Sequence, residues 1–283
     1  MFRKSSKHLC TASLLAAALF AGPASGDSRA STGPVAAAAT YADLADLADG
    51  APLVVRAQVR KLTPVEPARA RGVRAGWARY YIEARTEALL TGAAPLGAEL
   101  RYLADLPRDA KGMPPALKKR SVMLFARLVA GRPGELQLVA PDAQLLWDAA
   151  LDARLKGVLG ELLTPGAPPR ITALREAVHV PGDAAGDSET QIFLASASGE
   201  PAALSVTRRP GAAPRWGASF SELVASDSAP PAGTLGWYRL ACFLPAELPE
   251  ASNQGETLAL REAAARDYAF VRAALGACSR TRR

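Results

Sequence analysis

Residues 79–90 read Arg79-Tyr80-Tyr81-Ile82-Glu83-Ala84-Arg85-Thr86-Glu87-Ala88-Leu89-Leu90, and their alternation decides the fold. Tyr80, Ile82, Ala84, Ala88 and Leu90 fall on one side of an extended chain. Arg79, Tyr81, Glu83, Arg85 and Glu87 fall on the other. A period of two predicts a strand with one wet face. Upstream, residues 53–62 alternate as well, with Leu53, Val55, Ala57 and Val59 opposed to Arg56, Gln58 and Arg60. Residues 100–104 predict a short strand. Residues 121–129 are mostly apolar, which predicts a strand buried on both faces. Residues 136–140 follow the turn Gly131-Arg132-Pro133-Gly134, so the last two strands form a hairpin. Five strands with a long excursion after the first predict a small β-barrel over residues 41–142. A short helix at 41–48, capped by Thr40, precedes it.

Three segments carry a resemblance. They are Ala51-Pro52-Leu53-Val54-Val55-Arg56-Ala57-Gln58-Val59, Glu83-Ala84-Arg85-Thr86-Glu87-Ala88-Leu89-Leu90-Thr91-Gly92 and Ser121-Val122-Met123-Leu124-Phe125-Ala126. Together they resemble the OB-type (netrin-like) barrel domains of exported bacterial proteins, over about residues 41–140. The resemblance implies a five-stranded OB-like barrel and brings no catalytic residues. The whole chain resembles exported proteins of Gram-negative bacteria, which implies a compartment and no activity.

The start of the chain agrees with export. Arg3, Lys4 and Lys7 precede an apolar run from Leu9 to Phe20, and Ala24-Ser25-Gly26 offers small residues to a signal peptidase. Residues 1–26 are expected to be a signal peptide cleaved before Asp27, giving a periplasmic protein. The apolar run is too short for a spanning helix, which needs roughly 20 residues. Cys10 follows Lys7-His8-Leu9, which is not a lipidation context. No later stretch is apolar enough to cross a bilayer. Residues 27–40 read as a flexible leader.

Beyond the barrel, residues 148–163 predict a helix. Leu151, Leu155, Val158, Leu159 and Leu162 form its apolar stripe. The run Thr164-Pro165-Gly166-Ala167-Pro168-Pro169 ends it, so residues 143–169 read as a linking helix and hinge. Residues 170–283 read as an α+β domain. Strands at 171–180, 190–196, 203–208 and 215–221 predict an antiparallel sheet, and helices at 234–243 and 256–277 pack together. The fold class is therefore α+β. Cys242 and Cys278 fall on the apolar stripes of those two helices. As an even pair in an oxidising compartment, they predict a disulfide.

Composition narrows the chemistry. The chain has 34 basic and 27 acidic residues. Loss of Arg3, Lys4 and Lys7 with the leader leaves a modest positive balance, not the field of a dedicated nucleic-acid binder. Nucleic acid is not expected as a partner. Phosphate loops, dinucleotide fingerprints, a Gly-x-Ser-x-Gly elbow, His-Glu-x-x-His and Cys-x-x-Cys are all missing from the sequence. One histidine remains after the leader, His179, so no zinc site and no cofactor are expected. His179 with Asp183 or Asp187 and a serine is the alternative, hydrolytic reading. Glu83 and Glu87 share a face with Arg79 and Arg85, which reads as cross-strand charge pairing rather than an acid pair for catalysis.

The strongest surface signal is basic. Arg56, Arg60, Lys61, Arg69, Arg71, Arg74 and Arg79 stand against one acid, Glu66, and Lys118-Lys119-Arg120 adds a second cluster. The loop between the first two strands of OB-type barrels contacts ligands. Arg69, Arg71, Arg74, Trp77 and Arg79 are the candidate binding residues, since arginines beside an aromatic ring suit anionic groups. The expected function is a non-enzymatic periplasmic binding module for an anionic envelope lipid, a glycan or an acidic partner protein.

Overall fold

The computed structural model of the chain describes residues 38–92, 96–221 and 228–282. The expected signal peptide, and the leader up to residue 37, lie outside the described residues. From Ala38 onward the chain forms one compact unit.

Helix α1 (Tyr41–Asp49) begins at a reciprocal cap. Thr40 Oγ1 accepts from the Asp43 amide, and Asp43 Oδ2 accepts from the Thr40 amide. Five strands then build the barrel: β1 (Leu53–Pro64), β2 (Trp77–Thr91), β3 (Glu99–Pro107), β4 (Ser121–Leu128) and β5 (Glu135–Leu138). Their order is β1-β2-β3-β5-β4, and β4 pairs back onto β1 to close the barrel. All pairings are antiparallel except β3 with β5, where Arg101 lies beside Glu135 and Tyr102 beside Leu136. This mixed, closed arrangement is compatible with an OB-like fold.

The interior is the alternating set expected from the sequence. Val55 faces Leu124, Ala57 faces Val122, Ile82 faces Tyr102 and Ala84 faces Leu100, all buried. β4 is buried on both faces from Val122 to Ala126, as its unbroken apolar run requires. Its outer side, with Val54 of β1, joins the same cluster as Leu44 and Leu47 of α1. The inward face of β2 fades toward its end, where Ala88 and Leu90 are only half buried. β3 stops pairing at Arg85, so the last third of β2 has β1 as its sheet neighbour. A short strand, β6 (Gln144–Leu146), adds to the outside of β4. At three residues it is too short to show a period.

Helix α2 (Ala149–Leu163) is capped by Asp148 and buries Leu151, Leu155, Val158 and Leu159. A four-stranded antiparallel sheet follows, in the order β10-β9-β8-β7. Its strands are β7 (Ile171–Pro181), β8 (Ser188–Ser196), β9 (Ala202–Arg208) and β10 (Arg215–Ser219). Helices α3 (Leu235–Ala241) and α4 (Leu258–Leu275) complete the α+β mixture. No helix of the described residues is long and apolar enough to cross a membrane.

Cys242 and Cys278 are bonded, with Cα atoms 4.8 Å apart. Their setting corrects the sequence expectation. Cys242 caps α3 rather than lying on its stripe, and Cys278 lies beyond the end of α4. Gly276, at φ 71°, takes the left-handed conformation that stops α4 two residues before the cysteine.

Three acids of α1 fasten the rest of the unit. Asp49 receives both terminal nitrogens of buried Arg239, at 2.8 and 2.9 Å, and Arg170 at 2.5 Å. Asp46 receives the Tyr238 hydroxyl and Arg280. Asp43 receives the amides of Thr281 and Arg282, at 2.8 and 3.0 Å. Burial alone would raise the Asp43 and Asp49 carboxyls. The hydrogen bonds to Asp43, and the two guanidiniums at Asp49, outweigh it and hold both below the usual carboxylate value. Each then binds protons less tightly folded than unfolded. Their contribution is complete above the unfolded value and is lost as pH falls through it toward the folded one. The urea midpoint is expected to drop as pH falls below about 5, and Asp49→Asn should flatten that drop. A midpoint equally pH-dependent in the variant would remove Asp49 from this role.

Candidate functional site

The β1–β2 connection leaves the barrel at Pro64 and returns at Trp77 through a 3-10 turn, Pro67–Arg69. Its five candidate residues do not share one role. Arg79 lies opposite Asp105 across β2 and β3, and grips it with two hydrogen bonds of 2.7 and 2.9 Å. The Asp105 carboxylate holds the Arg79 guanidinium above its usual value against partial desolvation. Arg74 bonds Asp142 at 2.7 Å and stacks over the Trp77 ring, 4.1 Å from its centre. Asp142 also takes Arg282 at 3.1 Å, so the loop is tied to the end of the chain. Arg69 and Arg71 are exposed and make no ion pair with any described residue. They are the two whose charge is uncommitted.

The second basic cluster meets the first at the same end of the barrel. The Arg108 amide donates to the Gly76 carbonyl, which sets the β3–β4 connection beside the β1–β2 loop. The Lys119 amide donates to Val59, and the Val59 amide to Arg120, which sets residues 118–120 against β1. One end of the barrel therefore gathers cations from turns far apart in sequence, at Arg69 and Arg71, at Arg108 and Lys111, and at Lys118-Lys119-Arg120. Glu83 and Glu87 do pair across strands, but with Lys61 and Arg56 of β1 rather than with arginines of β2.

His179 has different company from that expected. It lies opposite Thr190 across β7 and β8, on the sheet face that meets α4. Its Nδ1 is 2.7 Å from Thr190 Oγ1 and 3.4 Å from Asp267 Oδ2. Thr190 Oγ1 donates to Asp267, and Arg208 Nε donates to the other carboxylate oxygen at 2.6 Å. A hydroxyl has one proton. With that proton directed to Asp267, Thr190 can only accept from His179, so Nδ1 carries the hydrogen. The imidazole side chain is 9 % exposed and Asp267 is 1 % exposed. Asp183 is exposed in the β7–β8 loop and makes no hydrogen bond to His179, and Asp187 pairs with Arg209 at 3.2 Å. No serine among the described residues bonds to His179.

Two cavities lie elsewhere. An open groove of about 460 Å³ runs over the other face of the second sheet, past Val178, Val180, Phe193 and Arg209. A cleft of about 400 Å³ lies between the β1–β2 ladder and α2, at Arg56, Leu89, Lys156 and Leu163. Arg56 stacks on Trp147 there, 5.0 Å from the ring centre. Trp237 is buried and donates to the Leu275 carbonyl, a packing role. Among the described residues no group of three His, Cys, Asp or Glu side chains could hold a metal ion.

The carboxylates that decide these roles, Asp105, Asp142 and Asp267, were not legible beforehand. Asp105 depends on the β2–β3 register, and the other two on contacts 68 and 59 residues apart. No family model matches the sequence, and no curated protein matches it.

Proposed function

We propose that this is an exported, periplasmic, non-enzymatic binding module that recognises an anionic component of the cell envelope through the basic end of its barrel. The observation that carries this is the convergence of the β1–β2 and β3–β4 turns, with Arg69 and Arg71 left without carboxylate partners. Arginine supplies a fixed fork of donors that matches phosphate and carboxylate groups. The ties through Asp105 and Asp142 hold the loop's base in place, so less ordering is left to be done on binding. Export is supported by the leader pattern of residues 1–26 and by the disulfide.

Hydrolysis at His179 has less behind it. A general base must reach its substrate's proton. The His179 imidazole is only 9 % exposed, and neither Asp183, Asp187 nor any serine among the described residues bonds to it.

The test is photo-crosslinking in cells with the probe at Arg71 and a control probe at Arg154, on exposed α2 surface. A recurrent anionic lipid, glycan or acidic-protein adduct at Arg71 and not at Arg154 is the expected result. Equal labelling at both positions would overturn the proposal.

A further inference from the structure

We infer that the anionic component is a lipid bilayer surface, with Met113 entering the headgroup region between the cationic turns. This rests on the binding function above and names its partner. The turn at residues 109–113 is built to present a methionine. Asp109 Oδ1 accepts from the amides of Lys111 and Met113, at 2.9 and 2.8 Å, and the Asp109 amide donates back to the Met113 carbonyl. The acid in this turn is thus turned inward, while Lys111 and Arg108 stay exposed and Met113 is 58 % exposed. A large apolar side chain on a fixed turn, with exposed Arg108 and Lys111 in the same turn, is the pattern of an interfacial anchor.

The neighbouring turn adds a second sign. Lys119 holds φ at 65°, the one non-glycine residue with positive φ among the described residues. Glycine or asparagine would adopt that conformation at less cost. Lysine there keeps a charge on the barrel end at the expense of backbone strain, and such strain clusters at functional positions. The charges are spread over three exposed turns, and none of them lines either of the two cavities described above. That geometry suits an extended anionic surface better than a single small anion. Juxtaposed lysines and arginines gain steadily from such a surface within a Debye length.

The experiment is cosedimentation of the purified protein with vesicles of phosphatidylcholine alone or with about one third phosphatidylglycerol. Competition with soluble glycerophosphoglycerol runs alongside. Partition onto the anionic vesicles is expected, falling on the order of 100-fold when Lys118, Lys119 and Arg120 are all replaced by glutamine. Met113→Ser is expected to lower it about tenfold without altering the thermal unfolding midpoint. These residues are exposed, and that midpoint checks that each variant is folded. Equal partition onto neutral vesicles, or no change in the triple variant, would overturn the bilayer inference. Binding of the soluble headgroup with none to vesicles would overturn it too, yet leave the binding function standing. Binding to no anion in any form would remove both.

Discussion

Replacing Asp267 with alanine is expected to lower the unfolding free energy by about 3 kcal/mol, the low end for breaking a buried ion pair. The carboxylate is 1 % exposed and serves Arg208, Thr190 and the edge of His179. Removing it takes the acceptor from the fully buried Thr190 hydroxyl, which is satisfied again only if His179 moves its proton from Nδ1 to Nε2, and an orphaned buried polar group costs about 1–3 kcal/mol. Arg208 is partly exposed and can turn toward water, which keeps the loss from the top of the range. Asp267→Asn preserves the volume and one acceptor and should cost less than half as much. Urea unfolding at constant m separates these values. A loss below about 1 kcal/mol in the alanine variant would mean that the group is not held as a buried, partnered carboxylate. The same pair of variants bears on function. A structural cluster changes stability and leaves anion binding at the barrel end unaltered.

That cluster also marks where sequence reading stops. The barrel was legible because its strands carry local periods: 79–90 alternates, and 121–129 runs apolar. The α2 stripe was equally local. What joins these elements was not local. Nothing in residues 65–76 says that the β3–β4 turn will lie beside them. That follows from β3 ending at Pro107 next to the start of β2, a matter of register. Register also turned Arg79 from a candidate ligand into the partner of Asp105. Proximity in sequence points His179 to Asp183 or Asp187. Asp267 is 88 positions along and arrives on α4, whose packing the helical stripe predicts but whose depth it does not. Cys278 shows the limit of periodicity from another side. The apolar stripe of α4 continues through it, yet Gly276 ends the helix first.

Loss of the Cys242–Cys278 bond should have the largest effect of any single covalent change. The bond closes a 36-residue separation, and in the chain-entropy picture a loop of that size is worth about 3–4 kcal/mol. Much of a small unit's stability margin has that magnitude. The native protein is expected to show no free thiol until reduced, and the Cys242→Ser, Cys278→Ser double variant to unfold at a clearly lower urea concentration. Two reactive thiols in the native protein would refute the pairing. The bond also stands at the root of the tail. Arg280 donates to the Cys242 carbonyl at 3.1 Å and stacks on Phe243, Thr281 and Arg282 bind Asp43, and Arg282 shares Asp142 with Arg74. If the bond acts only by restricting the unfolded chain, the double variant loses stability while Trp77 fluorescence stays native. If it also staples the tail in the folded state, freeing Cys278 loosens Arg282 and the Arg74–Trp77 stack, and that fluorescence shifts below the unfolding transition. The contacts from Cys242 through Asp43 to Asp142 are continuous, so the second result is the one expected, and Arg280→Ala should reproduce part of it with the disulfide intact.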